Sequence, residues 1–109
     1  MMIVPDEDVE KALAVLADEE GAAARAAHEY LSDLSKSVLA ELIAESNETS
    51  AISKENWARA QPRFREHLVK VGEFAKRDYI WRQRYSAASA KIECWRTQNA
   101  NIRAAERLR

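Results

Sequence analysis

The sequence predicts an all-α fold: a long antiparallel helical hairpin, coiled-coil-like, with a short connecting helix. The chain of 109 residues has only 2 Gly and 2 Pro, whereas a small β-sandwich or barrel needs turn residues roughly every 8 to 12 positions. It also contains 20 Ala, the residue with the highest helix propensity. Apolar residues recur at steps of three and four, the helical period. We therefore expect a single helical domain over residues 1–109.

The first long helix is predicted over residues 6–45. It begins where either Asp6 caps the helix or Pro5 lies in its first turn, and the acidic residues that follow suit the positive end of the helix dipole. Gly21 is the one weak point, where we expect a soft bend without a chain reversal. Its apolar positions include Val9, Leu13, Leu16, Leu31, Leu34 and Val38. This stripe is wide enough to face more than one neighbour.

The connection between the long helices is predicted as a loop followed by a short helix. The loop covers residues 46–53, and Ser53 is expected to cap a helix over 54–60. The residue before a proline avoids the α region, so we expect this short helix to end at Gln61, which precedes Pro62. Pro62 is well suited to the first position of the second long helix, which we predict over 62–107.

The second long helix carries a coiled-coil-like seam with alternating steps of three and four. Its positions are Val71, Phe74, Asp78, Trp81, Tyr85, Ala88, Ile92, Trp95, Asn99 and Ile102. We expect Trp81, Tyr85, Ile92 and Trp95 to form the core or oligomer seam with Leu31, Leu34 and Val38 of the first helix. Two helices alone would leave much of these wide stripes exposed to water, so a homodimer or higher oligomer is expected, in the form of a four-helix bundle.

Charge is divided unevenly along the chain. Residues 1–58 carry 4 basic and 13 acidic side chains, a net of −9, and residues 59–109 carry 13 basic and 5 acidic, a net of +8. Arg63, Lys70, Arg77, Arg84 and Lys91 recur every seven residues and so form a row beside the seam, with Arg82, Arg96 and Arg103 on its other side. Such asymmetry is the main functional clue in the sequence.

Three interpretations of the basic row stay open at this stage. Cations interleaved with aromatic residues can hold a phosphate backbone and offer stacking faces to bases. Cations beside a seam also pair with acids of a partner helix, or simply face solvent. Helical register places the acids of the first helix away from the row within one hairpin. The candidate nucleic-acid-binding residues are Arg77, Arg82, Arg84, Lys91, Arg96 and Arg103.

No motif for catalysis or for a cofactor is present in the sequence. His28 and His67, the two histidines, each adjoin a glutamate, and adjacent helical residues point about 100° apart, which is not a chelating arrangement. Cys94 is the one cysteine, which excludes an internal disulfide framework and a cysteine-based zinc site. No phosphate-binding glycine loop or nucleophile motif occurs. We expect no catalytic residues, metal, cofactor or small-molecule substrate.

The N-terminal segment has neither the basic start nor the apolar run of a signal peptide. No stretch approaches the 18 consecutive apolar residues of a membrane span. A cytoplasmic protein that does not enter a membrane is therefore expected.

From residue 53 onward the chain resembles a family of small helical proteins encoded in temperate phages and prophages. The resemblance is carried by Glu55, Trp57, Ala58, Pro62, Phe64, His67, Leu68, Ile92, Glu93, Cys94, Trp95, Arg96, Thr97, Ala100, Arg103 and Ala104. The resemblance implies an accessory role in DNA recombination or replication inside a bacterial host cell. Together with the basic row, it leads us to expect that the second long helix contacts DNA, single-stranded DNA in particular, or a recombinase–DNA complex. The alternative expectation is an oligomeric adaptor, or an inhibitor of a host nuclease or defence complex, without direct DNA binding.

Overall fold

The computed structural model describes residues 3–108, and these residues form four helices and no strand. The helices are α1 (Asp6–Ala17), α2 (Glu19–Glu45), α3 (Ala51–Ala60) and α4 (Pro62–Arg107). The predicted all-α class is confirmed. Within the described range, no helix combines the length and apolar character that crossing a membrane requires.

The chain divides into two compact units. Unit 1 consists of Met1–Gly21 and Ile80–Arg109, and unit 2 consists of Ala22–Tyr79. In unit 1, Val4 meets Gln98 and Asp18 meets Tyr85, so the two segments run antiparallel. The predicted antiparallel helical pairing is therefore present in this unit. The single domain expected from the length stays a prediction.

Unit 2 is also an antiparallel pair, made by α2 and the first part of α4. His28 meets Asp78 near one end of this pairing, and Glu45 meets Arg63 at the other. α3 lies between the two long helices in sequence and packs against both through Ala58.

The prediction of a single helix over residues 6–45 is wrong, because this segment forms two helices with a break at Asp18. Asp18 has extended backbone angles, φ −73° and ψ 123°. Its side chain accepts a hydrogen bond from the amide of Glu20 at 2.9 Å and so caps the start of α2. Asp18, Glu19 and Glu20 also favour a helix N-terminus electrostatically. The break therefore precedes the bend that we expected at Gly21.

The connector is shorter than predicted. The N-cap of α3 is Ser50, whose hydroxyl accepts a hydrogen bond from the amide of Ser53 at 3.0 Å. The helix thus begins at Ala51 instead of residue 54, and the loop covers residues 46–50. The start of α4 at Pro62 agrees with the prediction, since Gln61 is extended and its carbonyl accepts the first amides of α4.

The core of unit 1 is built from small side chains. Ala12, Ala88 and Ile92 are buried together, and Val15 packs against them. We had expected the larger Leu13 and Leu16 to face the second long helix, but they are 53% and 41% exposed. Alanine at the contact lets two helices approach closely, so the buried stripe of α1 is displaced by one residue from the leucines.

The core of unit 2 lies where its three helices meet. Leu42, Ala58 and Phe64 are buried there. Half-buried side chains surround them: Val38, Leu39, Ile43 and Trp57. Ile43 of α2 and Phe64 of α4 thus belong to the same cluster.

The predicted seam residues lie on buried or half-buried positions. Leu31, Leu34 and Val38 are half-buried, as are Trp81, Tyr85 and Trp95, and Ile92 is buried. Asp78, a polar interruption of the seam, is only 3% exposed. Ile102 is 49% exposed although it continues the same spacing.

Candidate nucleic-acid interface

All six candidate nucleic-acid-binding residues are exposed on α4. Arg82, Arg84, Lys91, Arg96 and Arg103 belong to unit 1, and Arg77 belongs to unit 2. Five of the six thus belong to one unit, on the C-terminal part of α4, which is the main candidate region.

In unit 1, Arg84 is held against an aromatic ring. Its guanidinium carbon lies 4.9 Å from the centroid of the Trp81 ring, a cation–π arrangement. Trp81 in turn lies 6.0 Å from the ring of Tyr85. Stacking fixes the plane of the guanidinium while its N–H groups stay available to a ligand.

Lys91 follows Arg84 by seven residues and lines the same groove between α1 and α4. A third cation, Lys11 of α1, lines this groove as well. Lys11 was not among the residues predicted from the sequence. Choosing the leucines as the inward positions of α1 turned Lys11 away from the basic row.

The remaining candidates of unit 1 differ in their surroundings. Arg96 pairs with Glu93 on the same helix at 3.2 Å, with both side chains about two-thirds exposed. An exposed pair of this kind contributes little to stability and opens easily. Arg82 makes an interaction within the described part of the chain. Arg103 is exposed on the last turns of α4.

The basic row of unit 2 is partly neutralised within the chain. Arg63 forms ion pairs with Glu41 and Glu45 of α2. Our expectation that the row has no acidic partner within the hairpin is therefore wrong for Arg63. Arg77, one heptad before Arg84, repeats the aromatic contact, with its guanidinium carbon 4.8 Å from the Phe74 ring centroid.

Three polar contacts fix the register of α1 on α4 in unit 1. Gln98 exchanges hydrogen bonds with the backbone of Val4. The indole N–H of Trp95 donates to Asp6 at 3.0 Å, and the hydroxyl of Tyr85 donates to the carbonyl oxygen of Asp18 at 2.9 Å. Trp95 and Tyr85 thus position α1, and their polar atoms are engaged within the chain.

The histidines are engaged in structural contacts of unit 2. His28 Nδ1 lies 2.9 Å from a carboxylate oxygen of Asp78. His67 Nε2 lies 2.9 Å from both the Ser35 hydroxyl and the carbonyl oxygen of Leu31. Across residues 3–108 there is no group of three or more histidine, cysteine or acidic side chains that could hold a metal ion. Cys94 is a free, exposed thiol.

Comparison with known proteins gives no further assignment. The chain matches no protein-family model, no curated protein and no solved structure.

Proposed function

We propose that this protein is a non-enzymatic accessory protein of DNA recombination or replication that contacts single-stranded DNA through the basic face of α4. The resemblance to temperate-phage proteins supports this role, and we propose that the protein acts in the cytoplasm of a bacterial host. The proposal depends most on one observation. In unit 1, Arg84 and Lys91 are exposed, and neither has an ion-pair partner among the residues that the structure describes.

Single-stranded DNA fits this surface better than duplex DNA. Proteins that bind single strands combine cations with aromatic faces on which bases stack. Arg84 already rests on the Trp81 ring, and both residues belong to unit 1. Base-specific reading by a helix-turn-helix needs a pair of short helices, with a recognition helix free to enter the major groove. The described helices do not form one.

The test is binding to a fluorescently labelled oligothymidylate across a salt series. We expect a log–log slope of about −3.5 if five phosphates are contacted, because each contact with a single strand contributes about −0.7. The triple variant Arg84→Gln, Lys91→Gln, Arg103→Gln is expected to lower the magnitude of the slope by about 2. Its affinity at low salt is expected to fall in parallel.

A control variant matches the change in net charge. Arg25→Gln, Lys36→Gln, Lys54→Gln also removes three cations, but all three lie in unit 2 outside α4. We expect its slope to stay at the wild-type value. Equal losses in both triple variants would indicate a bulk charge effect, and absence of binding by the wild type at low salt would contradict the proposal.

A second candidate, an oligomeric protein-interaction module, is favoured by the surface that the chain leaves uncovered. Leu13 and Leu16 contribute an exposed apolar edge on α1. We propose that a second copy of the chain covers this edge.

Sedimentation equilibrium tests the dimer directly. We expect the wild type to have twice the 12.4 kDa chain mass, and Leu13→Glu, Leu16→Glu to be monomeric with unchanged helical circular dichroism, since a charge at this edge opposes association. Leu68→Glu is the control, because Leu68 is 46% exposed in unit 2. A monomeric wild type at micromolar concentration would rule out the dimer.

A further inference from the structure

The groove between α1 and α4 in unit 1 gathers cations from both helices. It measures about 200 Å³ and is lined by Lys11, Arg84 and Lys91 around small side chains that include Ala12 and Ala88. Ala12 and Ala88 are buried at the contact between the helices, whereas the three cations are exposed.

No acidic side chain lines this groove. The first turn of α1 is acidic, yet none of its carboxylates reaches the groove, and Asp6 accepts a hydrogen bond from Trp95 instead. Within residues 3–108, none of the three cations forms an ion pair. Like charges that converge without counter-charges repel one another, and a bound anion relieves that repulsion.

The spacing of the cations favours a chain of phosphates over a single ion. Arg84 and Lys91 are seven helical residues apart, which is about 10 Å along the axis. Successive phosphates of a strand can contact both side chains without bringing the two cations together, since stacked nucleotides rise about 3.4 Å each. Arg84 supplies a planar fork of donors for a phosphate, and each lysine supplies a point charge.

We infer that this groove binds successive phosphates of a single-stranded nucleic acid, with Lys11 of α1 as a binding residue beside Arg84 and Lys91. The inference rests on the proposed function and extends it in one respect. The interface includes α1, the helix of the acidic half of the chain, and is not confined to α4.

Lys11→Gln tests the inference against Lys36→Gln. Both lysines are exposed and lie in the acidic half of the sequence, but Lys36 is on α2 in unit 2. We expect Lys11→Gln to lower the magnitude of the salt slope for oligothymidylate by about 0.7. Lys36→Gln is expected to leave the slope unchanged.

Lysine acetylation read by mass spectrometry locates the contact independently of affinity. Bound oligothymidylate is expected to protect Lys11 and Lys91 of the wild type from acetylation and to leave Lys36 reactive. Inorganic pyrophosphate at the same phosphate concentration is expected to give no such protection, because it cannot span the groove. Protection by pyrophosphate alone would overturn the inference in favour of a free polyphosphate.

The outcomes separate this inference from the proposed function. If the wild type binds and the Arg84, Lys91, Arg103 triple variant is weakened, while Lys11→Gln behaves as Lys36→Gln does, the groove inference fails and the α4 surface stands. If the wild type does not bind oligothymidylate at all, both fail together.

Discussion

Replacing His28 by leucine is expected to lower the free energy of unfolding by about 2 kcal/mol. Asp78 is 3% exposed, and its carboxylate lies 2.9 Å from the imidazole of His28, whose side chain is 30% exposed. Losing a hydrogen bond to a buried charged group typically costs about 1.5 to 3 kcal/mol. Asp78 makes a further interaction within the described chain, so its carboxylate keeps part of its compensation.

Two further variants identify the cause of this loss. Replacing both residues, as in His28→Leu with Asp78→Leu, is expected to restore stability to within about 1 kcal/mol of the wild type, since an apolar pair avoids the desolvation of a charge. His67→Leu is the control: it loses hydrogen bonds to neutral oxygens only and is expected to cost about 1 kcal/mol. Urea unfolding followed by circular dichroism measures all four proteins. A double variant no more stable than His28→Leu would show that the buried Asp78 carboxylate does not cause the loss.

Gly21→Ala is expected to destabilise the protein by about 2 kcal/mol, although alanine is the better helix former. A Cβ atom at this position would overlap the Tyr85 hydroxyl and lie 2.5 Å from Cζ and 2.7 Å from Cε2 of the ring. The ring cannot move away without breaking its hydrogen bond to the carbonyl of Asp18. Overpacking of this kind typically costs about 1 to 3 kcal/mol.

Gly72→Ala provides the matched comparison. Gly72 lies within α4, and a Cβ atom there would meet nothing within 4 Å. Alanine is expected to stabilise the protein by up to about 1 kcal/mol through helix propensity alone. The two substitutions should thus shift the urea midpoint in opposite directions. A stabilising Gly21→Ala would show that Tyr85 does not pack on the backbone of α2.

The sequence indicated the helices well because their signals are local. Few glycines and prolines, many alanines and a regular apolar period are sufficient to place α4 from Pro62 to Arg107. The break at Asp18 was missed because a glycine interrupts a helix more visibly than an aspartate. Asp18 ends α1 because its carboxylate caps α2, and nothing in the apolar period distinguishes such a cap from an acid in a helix interior.

The candidate site was accessible from sequence only in part. Heptad spacing on one helix gave Arg84 and Lys91, but the position of Lys11 depends on which face of α1 meets α4. The large leucines of α1 suggested that their face meets α4, but the adjacent face, which carries Ala12, packs against α4 instead. The neutralisation of Arg63 likewise depends on contacts with residues 18 and 22 positions away, which periodicity cannot supply.

The polar contacts of Val4, Asp6 and Asp18 with α4 also govern where the chain tolerates changes of length. An alanine-rich helical surface looks much the same at every turn, so packing alone would permit α1 to slide. Each contact joins a different pair of groups, so a residue inserted within α1 would misalign at least one of them. The loop at residues 46–50 carries only local hydrogen bonds. We therefore expect insertions and deletions in this loop to lower the free energy of unfolding less than those within α1.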